Sequence, residues 1–240
     1  MRRVVIVQAR MTSTRLPGKV LMDLQGRPML AQQLRRLRLC RSADALMIAC
    51  TRNPADDPVA ELARRERLEC WRGSEEDVLS RYAGAARKAA ADVIVRVTAD
   101  CPLIDPEIVD LVIRKLDGRD YASNVLRRTY PRGLDAEALT RETLERLDRE
   151  ATSAPAREHV TYHILRERPQ AFTRGSVEDS ADNSDLRWTV DTAEDLELAR
   201  RLYAALDLGS SEVPYAEILA YARAHPELAA LNAHIAQKER

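Results

Sequence analysis

Three permanent cations, Arg10, Arg15 and Lys19, fall within ten residues of one another and are interleaved with Thr12, Ser13 and Thr14. Guanidinium and ammonium groups at that density, with hydroxyls and backbone N–H donors beside them, suit a polyphosphate. Pro17-Gly18 predicts a turn that folds Lys19 back onto the loop. The spacing is neither the Gly-x4-Gly-Lys-[Ser/Thr] of a P-loop nor the Gly-x-Gly-x-x-Gly of a dinucleotide fold. On residue types alone, a solvated basic loop is the competing reading.

The element that must position this loop is Val4-Val5-Ile6-Val7, a β-branched apolar run with the composition of a buried strand. In open α/β sheets ligands bind beyond the carboxyl ends of strands, so the residues after each apolar run matter most. Leu46 to Thr51 reads as a second strand, ending at Thr51-Arg52-Asn53, which can hydrogen-bond a base edge. Asp92 to Thr98 is another, ending at Thr98-Ala99-Asp100, and Arg187 to Val190 is predicted as a strand ending at Asp191. Two strand-end carboxylates opposite three cations suit Mg²⁺ with a nucleoside triphosphate, because Mg²⁺ takes one or two carboxylates and leaves its other positions to phosphate oxygens and water. Either aspartate can instead be a turn or cap, and Asp191 stands directly before a helix start at Thr192.

Between these points strand and helix alternate. Met29, Leu30, Leu34 and Leu37 fall at helical spacing behind Pro28; Asp56 to Arg67 reads as a helix and Leu68 to Trp71 as a short strand. Ser74 with Asp77 predicts a capping box for a helix through Val78, Leu79, Tyr82 and Ala86, and Asp105-Pro106 an N-cap followed by proline at the first helical position. The pattern implies an α/β fold with a mostly parallel sheet covered on both faces. It breaks near Gly118, so 118–169 is read as an excursion from a single 1–240 domain. That excursion holds a possible strand at Tyr121 to Ser123, a basic turn-rich stretch from Arg127 to Asp135, and helices near Arg141 to Arg149 and Ala156 to Arg166. Ala171 to Val177 returns as a strand. Thr192-Ala-Glu-Asp195 is a second capping box, and two Ala-rich helices follow from about Pro214.

The 38 basic and 38 acidic residues balance, so no global field steers the chain to nucleic acid or membrane, and an anion site must be a local concentration of charge. Cys40, Cys50, Cys70 and Cys101 form no C-x-x-C pair and have no histidines at ligand spacing. Zinc and a disulfide framework are therefore not expected, and reduced thiols in a cytoplasm are the simple reading. No apolar run approaches the ~18 residues of a membrane span.

The string QARMTSTRLPGKVL closely resembles the amino-terminal signature of the cytidylyltransferases that activate acidic sugars, above all the branch named for a spore-coat polysaccharide biosynthesis protein. The likeness continues in order through RGSEEDVLSRY, VTADCPLID, YPRGLDAE, REHVT and WTVDTAEDL, over most of the first two hundred residues. It implies a nucleotide-diphospho-sugar transferase-like (Rossmann-like) fold and a nucleotide site of Ala9, Arg10, Ser13, Arg15, Lys19, Thr51, Arg52, Thr98 and Asp100. Asp100 matches the family's magnesium-binding aspartate and Asp191 its second carboxylate, with Arg10 and Lys19 joining them in catalysis. Arg72 and Asp77 are either nucleotide contacts or simply parts of a helix start.

The resemblance further implies CTP and an anionic small-molecule acceptor as partners, and a homodimer made through the excursion. Arg128, Arg132, Arg157 and His159 are the candidate acceptor contacts, since bidentate arginine recognises a carboxylate or phosphonate; Glu137 is a candidate for acceptor hydroxyls. The loop wording differs from the sialic acid and Kdo (3-deoxy-manno-octulosonate) enzymes, so the acceptor stays open between a nonulosonic acid, another sugar acid and a phosphonate. The alternatives are transfer of another base or to a sugar phosphate, a glycosyltransferase on the same fold, or a nucleotide sensor.

Overall fold

Residues 1–236 are described by the computed structural model. Val4 to Val7 are wholly buried and form the middle of β1 (Arg3–Gln8). Each such side chain contributes about 1.5–3 kcal/mol by burial, so the loop that follows starts from a fixed point. A small hairpin, β2 (Asp23–Leu24) with β3 (Arg27–Pro28), was not legible in the sequence; it precedes α1 (Met29–Leu37). Then come β4 (Ala45–Thr51), α2 (Asp57–Arg65), β5 (Glu69–Gly73), α3 (Val78–Lys88), β6 (Val93–Thr98) and α4 (Pro106–Lys115).

Strands β5, β4, β1 and β6 lie side by side and parallel. The chain leaves β1 towards β4 on one side and returns from β5 to β6 on the other, which puts a switch point, and hence a crevice, beyond the ends of β1 and β6. Alternate residues of the strands feed two cores. Val5 and Val7 pack with α1, α2 and α4, whereas Val4 and Ile6 pack with α3, as a parallel sheet covered on both faces requires.

The 118–169 segment is not simply an excursion. Its β7 (Tyr121–Ser123) and β8 (Glu137–Thr140) extend the main sheet, β8 antiparallel to β6 and β7 antiparallel to β8, and β9 (Arg174–Ser176) closes the edge parallel to β7. The sheet has seven strands among the described residues. Strand β8 escaped the sequence reading because it opens on a carboxylate, Glu137, that is buried against Arg96 of the neighbouring strand.

Three other expectations are corrected. The helix foreseen over Ala156 to Arg166 is broken into α6 (Ala154–Glu158), following α5 (Arg141–Glu150), and a π-helical turn at His163–Glu167. Val160, buried between them, takes φ 50°, a left-handed conformation that costs a β-branched residue on the order of 1–3 kcal/mol. Arg187 to Val190 is no strand: its pairing is an isolated bridge, Arg132 to Arg187, and Val190 N–H donates to the Asp100 carbonyl. Gly133 (φ 105°) permits this approach, since a Cβ there would sit 2.4 Å from the Thr189 nitrogen. Lastly, α3 is capped by Asp77 itself, which accepts from Ser80 N–H, while Ser74 Oγ accepts from Asp77 N–H one turn earlier.

The Thr192 box is present as read and opens α7 (Ala193–Ala205); α8 (Tyr215–Ala224) and α9 (Pro226–Ala230) follow. No described helix is long and apolar enough to cross a membrane.

Candidate active site

Lys19 stands at the centre of the crevice. Gly18, at φ 73°, turns the loop, its N–H bonds the Met11 carbonyl, and Lys19 begins a 3-10 turn that carries its side chain inward. Its ammonium donates to Asp191 Oδ1 at 2.8 Å, to Asp100 Oδ2 at 3.3 Å and to the Val190 carbonyl at 2.6 Å. Burial alone would lower the Lys19 pKa, but the two carboxylates outweigh it and the net shift is upward, so the cation persists through neutral pH. The two aspartates named from strand ends thus meet at one point, although one follows β6 and the other precedes α7.

Each carboxylate is held. Asp100 Oδ1 accepts from Thr98 Oγ1 at 2.5 Å. Asp191 Oδ2 accepts from Arg15 at 2.7 Å and from Arg187 at 2.9 Å. Arg10 is exposed on the same loop, Ser13 is half-buried and Ala9 is buried beside β4. The buried Asp56 carboxylate ties this loop to the next strand end, accepting from Met11 N–H at 2.7 Å and Thr51 N–H at 2.8 Å. Asp56 was read only as a helix start; its signal is a carboxylate directly after a strand-end loop.

Thr51 is buried and Arg52 exposed, both at the end of β4. Arg72 reaches them but not as a free cation: it donates to the Thr51 and Asn53 carbonyls and pairs with Asp57 at 2.6 Å, holding that loop in shape. Glu75 joins the two loops, accepting from Thr12 Oγ1 and from Asn53.

On the other side of the carboxylates lies a cavity of about 600 Å³. Thr98, Asp100 and Asp191 line it together with Arg128, Arg132, Glu137 and His159. Arg166, Thr161 and Tyr162 also face it, none of them foreseen, because the chain had to break at Val160 to turn them inward. Arg128 is bidentate to Asp135 at 2.7 and 2.8 Å, which fixes its guanidinium at the wall.

Glu137 is not available for hydroxyls in the manner expected: Arg96 pairs with it, and Tyr121 and Thr161 donate to it at 2.6 and 2.7 Å. Burial would raise its pKa, yet Arg96 and these donors hold it below the ordinary carboxylate range. Glu137→Gln is expected to cost about 3–5 kcal/mol of stability, as removing one partner of a buried pair does, measured by denaturant unfolding. Because the folded-state pKa is lowered, this stabilisation is present above the ordinary carboxylate range and is lost as pH falls through the folded value.

Arg157 is a correction. It does not line the cavity; its guanidinium grips Asp77 at 2.7 and 2.9 Å and Asp148 at 2.9 Å, tying the start of α3 to α5. Arg157→Ala should therefore cost about 2 kcal/mol of stability and change acceptor KM by less than about threefold, read from thermal melts and steady-state kinetics on the same preparation.

The residues present fit magnesium. Two carboxylates converge on one cation already, and magnesium takes one or two carboxylates with phosphate oxygens and water in its other positions.

The sequence model of a family described as cytidylyltransferase matches residues 4–221. The spore coat polysaccharide biosynthesis protein SpsF of Bacillus subtilis is 33% identical over 207 residues, covering 82% of this chain and 85% of that protein. A 3-deoxy-manno-octulosonate cytidylyltransferase of Anaeromyxobacter sp. is 30% identical, covering 85% of this chain and 98% of that enzyme. The solved structure of a cytidylyltransferase from Leptospira borgpetersenii superposes with a TM-score of 0.91 at 30% identity, covering 100% of both chains.

Proposed function

Because the chain belongs to the cytidylyltransferase family, and so is a nucleotidyltransferase, we propose that it moves CMP from CTP to an acidic acceptor in a magnesium-dependent reaction. The observation that carries this reading is the Lys19 ammonium between Asp100 and Asp191, with a loop of cations on one side and an arginine-lined cavity on the other.

An oxygen of the acceptor attacks the α-phosphorus in line, the bond to the bridging oxygen breaks, pyrophosphate leaves with that electron pair, and the proton of an attacking hydroxyl passes to water. Arg10, Arg15 and Lys19 neutralise the triphosphate and then the leaving group. Lys19 and Arg15 are drawn from the carboxylates to phosphate as the nucleotide enters, and Asp100 and Asp191 are left to hold the metal. When bound, Mg²⁺ neutralises phosphate oxygens and orients the reacting groups. Arg128, Arg132 and His159 orient the acceptor from the cavity wall. The acceptor is a sugar acid of polysaccharide assembly, by analogy with the relatives' names, and the arginines of the cavity wall suit a phosphonate as well.

A homodimer through 118–169 belongs to the same reading. Pyrophosphate release from each of the four nucleoside triphosphates, with a panel of sugar acids, phosphonates and sugar phosphates, tests the proposal. Release with CTP and an acidic acceptor is expected. A preference for another base, or hydrolysis of a finished nucleotide sugar, overturns it.

A further inference from the structure

Arg187 has no role in what has been derived so far, yet it is 7% exposed and touches Asp191. It donates twice to Asp195, at 2.9 and 3.0 Å, and once to Asp191 Oδ2, at 2.9 Å. Asp195 is itself buried, and its Oδ2 also accepts the N–H groups of Asp191 and Thr192, so one carboxylate fixes the guanidinium and the backbone turn that bears Asp191. From the far end of the chain Asn232, 2% exposed, donates to Asp195 Oδ1 at 2.8 Å and to the Arg187 carbonyl at 2.9 Å. A buried ion pair of this sort is often no more stabilising than apolar residues of equal volume, because desolvation offsets the attraction. Its fixed geometry is what it contributes.

Among the described residues three cations reach Asp191, and they differ in how firmly they are held. Arg15 and Lys19 come from the loop, and Arg15 is 30% exposed. Arg187 is anchored on two sides. When a triphosphate draws the loop cations away, Arg187 therefore stays on Oδ2 and leaves Oδ1, where Lys19 had been, facing Asp100. We infer that Arg187, clamped by Asp195 and Asn232, is a positioning residue that makes Asp191 offer one chosen oxygen to the metal. This rests on the magnesium reading above. Lysine cannot replace it, having one ammonium where the site needs a planar fork that spans two carboxylates.

The test titrates Mn²⁺, as a paramagnetic probe, into enzyme with saturating CTP and no acceptor, following bound metal by electron paramagnetic resonance. Partners one step behind a metal ligand typically change affinity by about 10- to 100-fold. Arg187→Lys is expected to raise the Mn²⁺ dissociation constant at least about tenfold, and Asn232→Ala to raise it in the same direction by less. In both, excess Mg²⁺ should restore kcat to within about twofold of wild type, which a merely structural defect would not allow. Should Arg187→Lys fail to fold, Asn232→Ala, which leaves the guanidinium and both carboxylates in the chain, carries the test alone. Mn²⁺ affinity within twofold of wild type in the folded variants overturns the positioning role. If the wild type itself binds no Mn²⁺ beyond what CTP chelates in free solution, the magnesium reading falls instead, and the inference with it.

Discussion

Asp100→Asn and Asp191→Asn are each expected to lower turnover by at least about 10³-fold at ordinary magnesium while CTP still binds. An amide presents an oxygen of similar size but no charge, and under the magnesium reading proposed above the cation would depend on carboxylate charge for both affinity and position. Removing a single preorganised electrostatic group commonly costs about 10²–10³ in kcat. The loss here should exceed that, because Asp191 is also the partner of Lys19, Arg15 and Arg187. The same change removes a negative charge that repels the triphosphate, so metal-free CTP affinity, measured by calorimetry, should hold or rise. Full activity of Asp191→Asn at ordinary magnesium would mean that Asp191 only holds Lys19, Arg15 and Arg187 in place and binds no metal.

The second large effect is at Lys19. Lys19→Ala is expected to lower kcat by about 10²–10³-fold, and Arg10→Ala by about 10²-fold, with melting temperature nearly unchanged for Arg10, which is exposed. Lys19 is different because it is buried and lies between two carboxylates. Its removal leaves those carboxylates facing each other without their shared cation, and some stability is lost with it. The raised Lys19 pKa gives the sign: its stabilisation is complete below the ordinary lysine value and disappears only as pH rises through the higher folded value. Titration of Lys19 should therefore leave no inflection in the pH–rate profile near neutrality. Near wild-type turnover in Lys19→Ala would sink the triphosphate assignment of the loop.

The sequence by itself determined what local forces determine. An unbroken β-branched run could only be a central strand, and its polar cationic loop could only follow at the carboxyl end. Asp105-Pro106 and Thr192 to Asp195 announced helix starts because caps act within one turn. The tertiary structure alone decided which charged group meets which. Lys19 finds Asp100 across 81 residues and Asp191 across 172; their places after apolar runs marked both carboxylates as candidates, but nothing in the sequence says that they share one ammonium. Arg157 looked like a ligand contact because arginines cluster in its segment, yet Asp77 and Asp148 come close enough to claim it. Glu137 was a candidate for acceptor hydroxyls by resemblance, and only the pairing of β8 with β6 sets it opposite Arg96. Local propensity acts over a few residues, whereas a buried charge takes whichever partner the packed sheet brings to it, because leaving it unpaired costs more than any local preference provides.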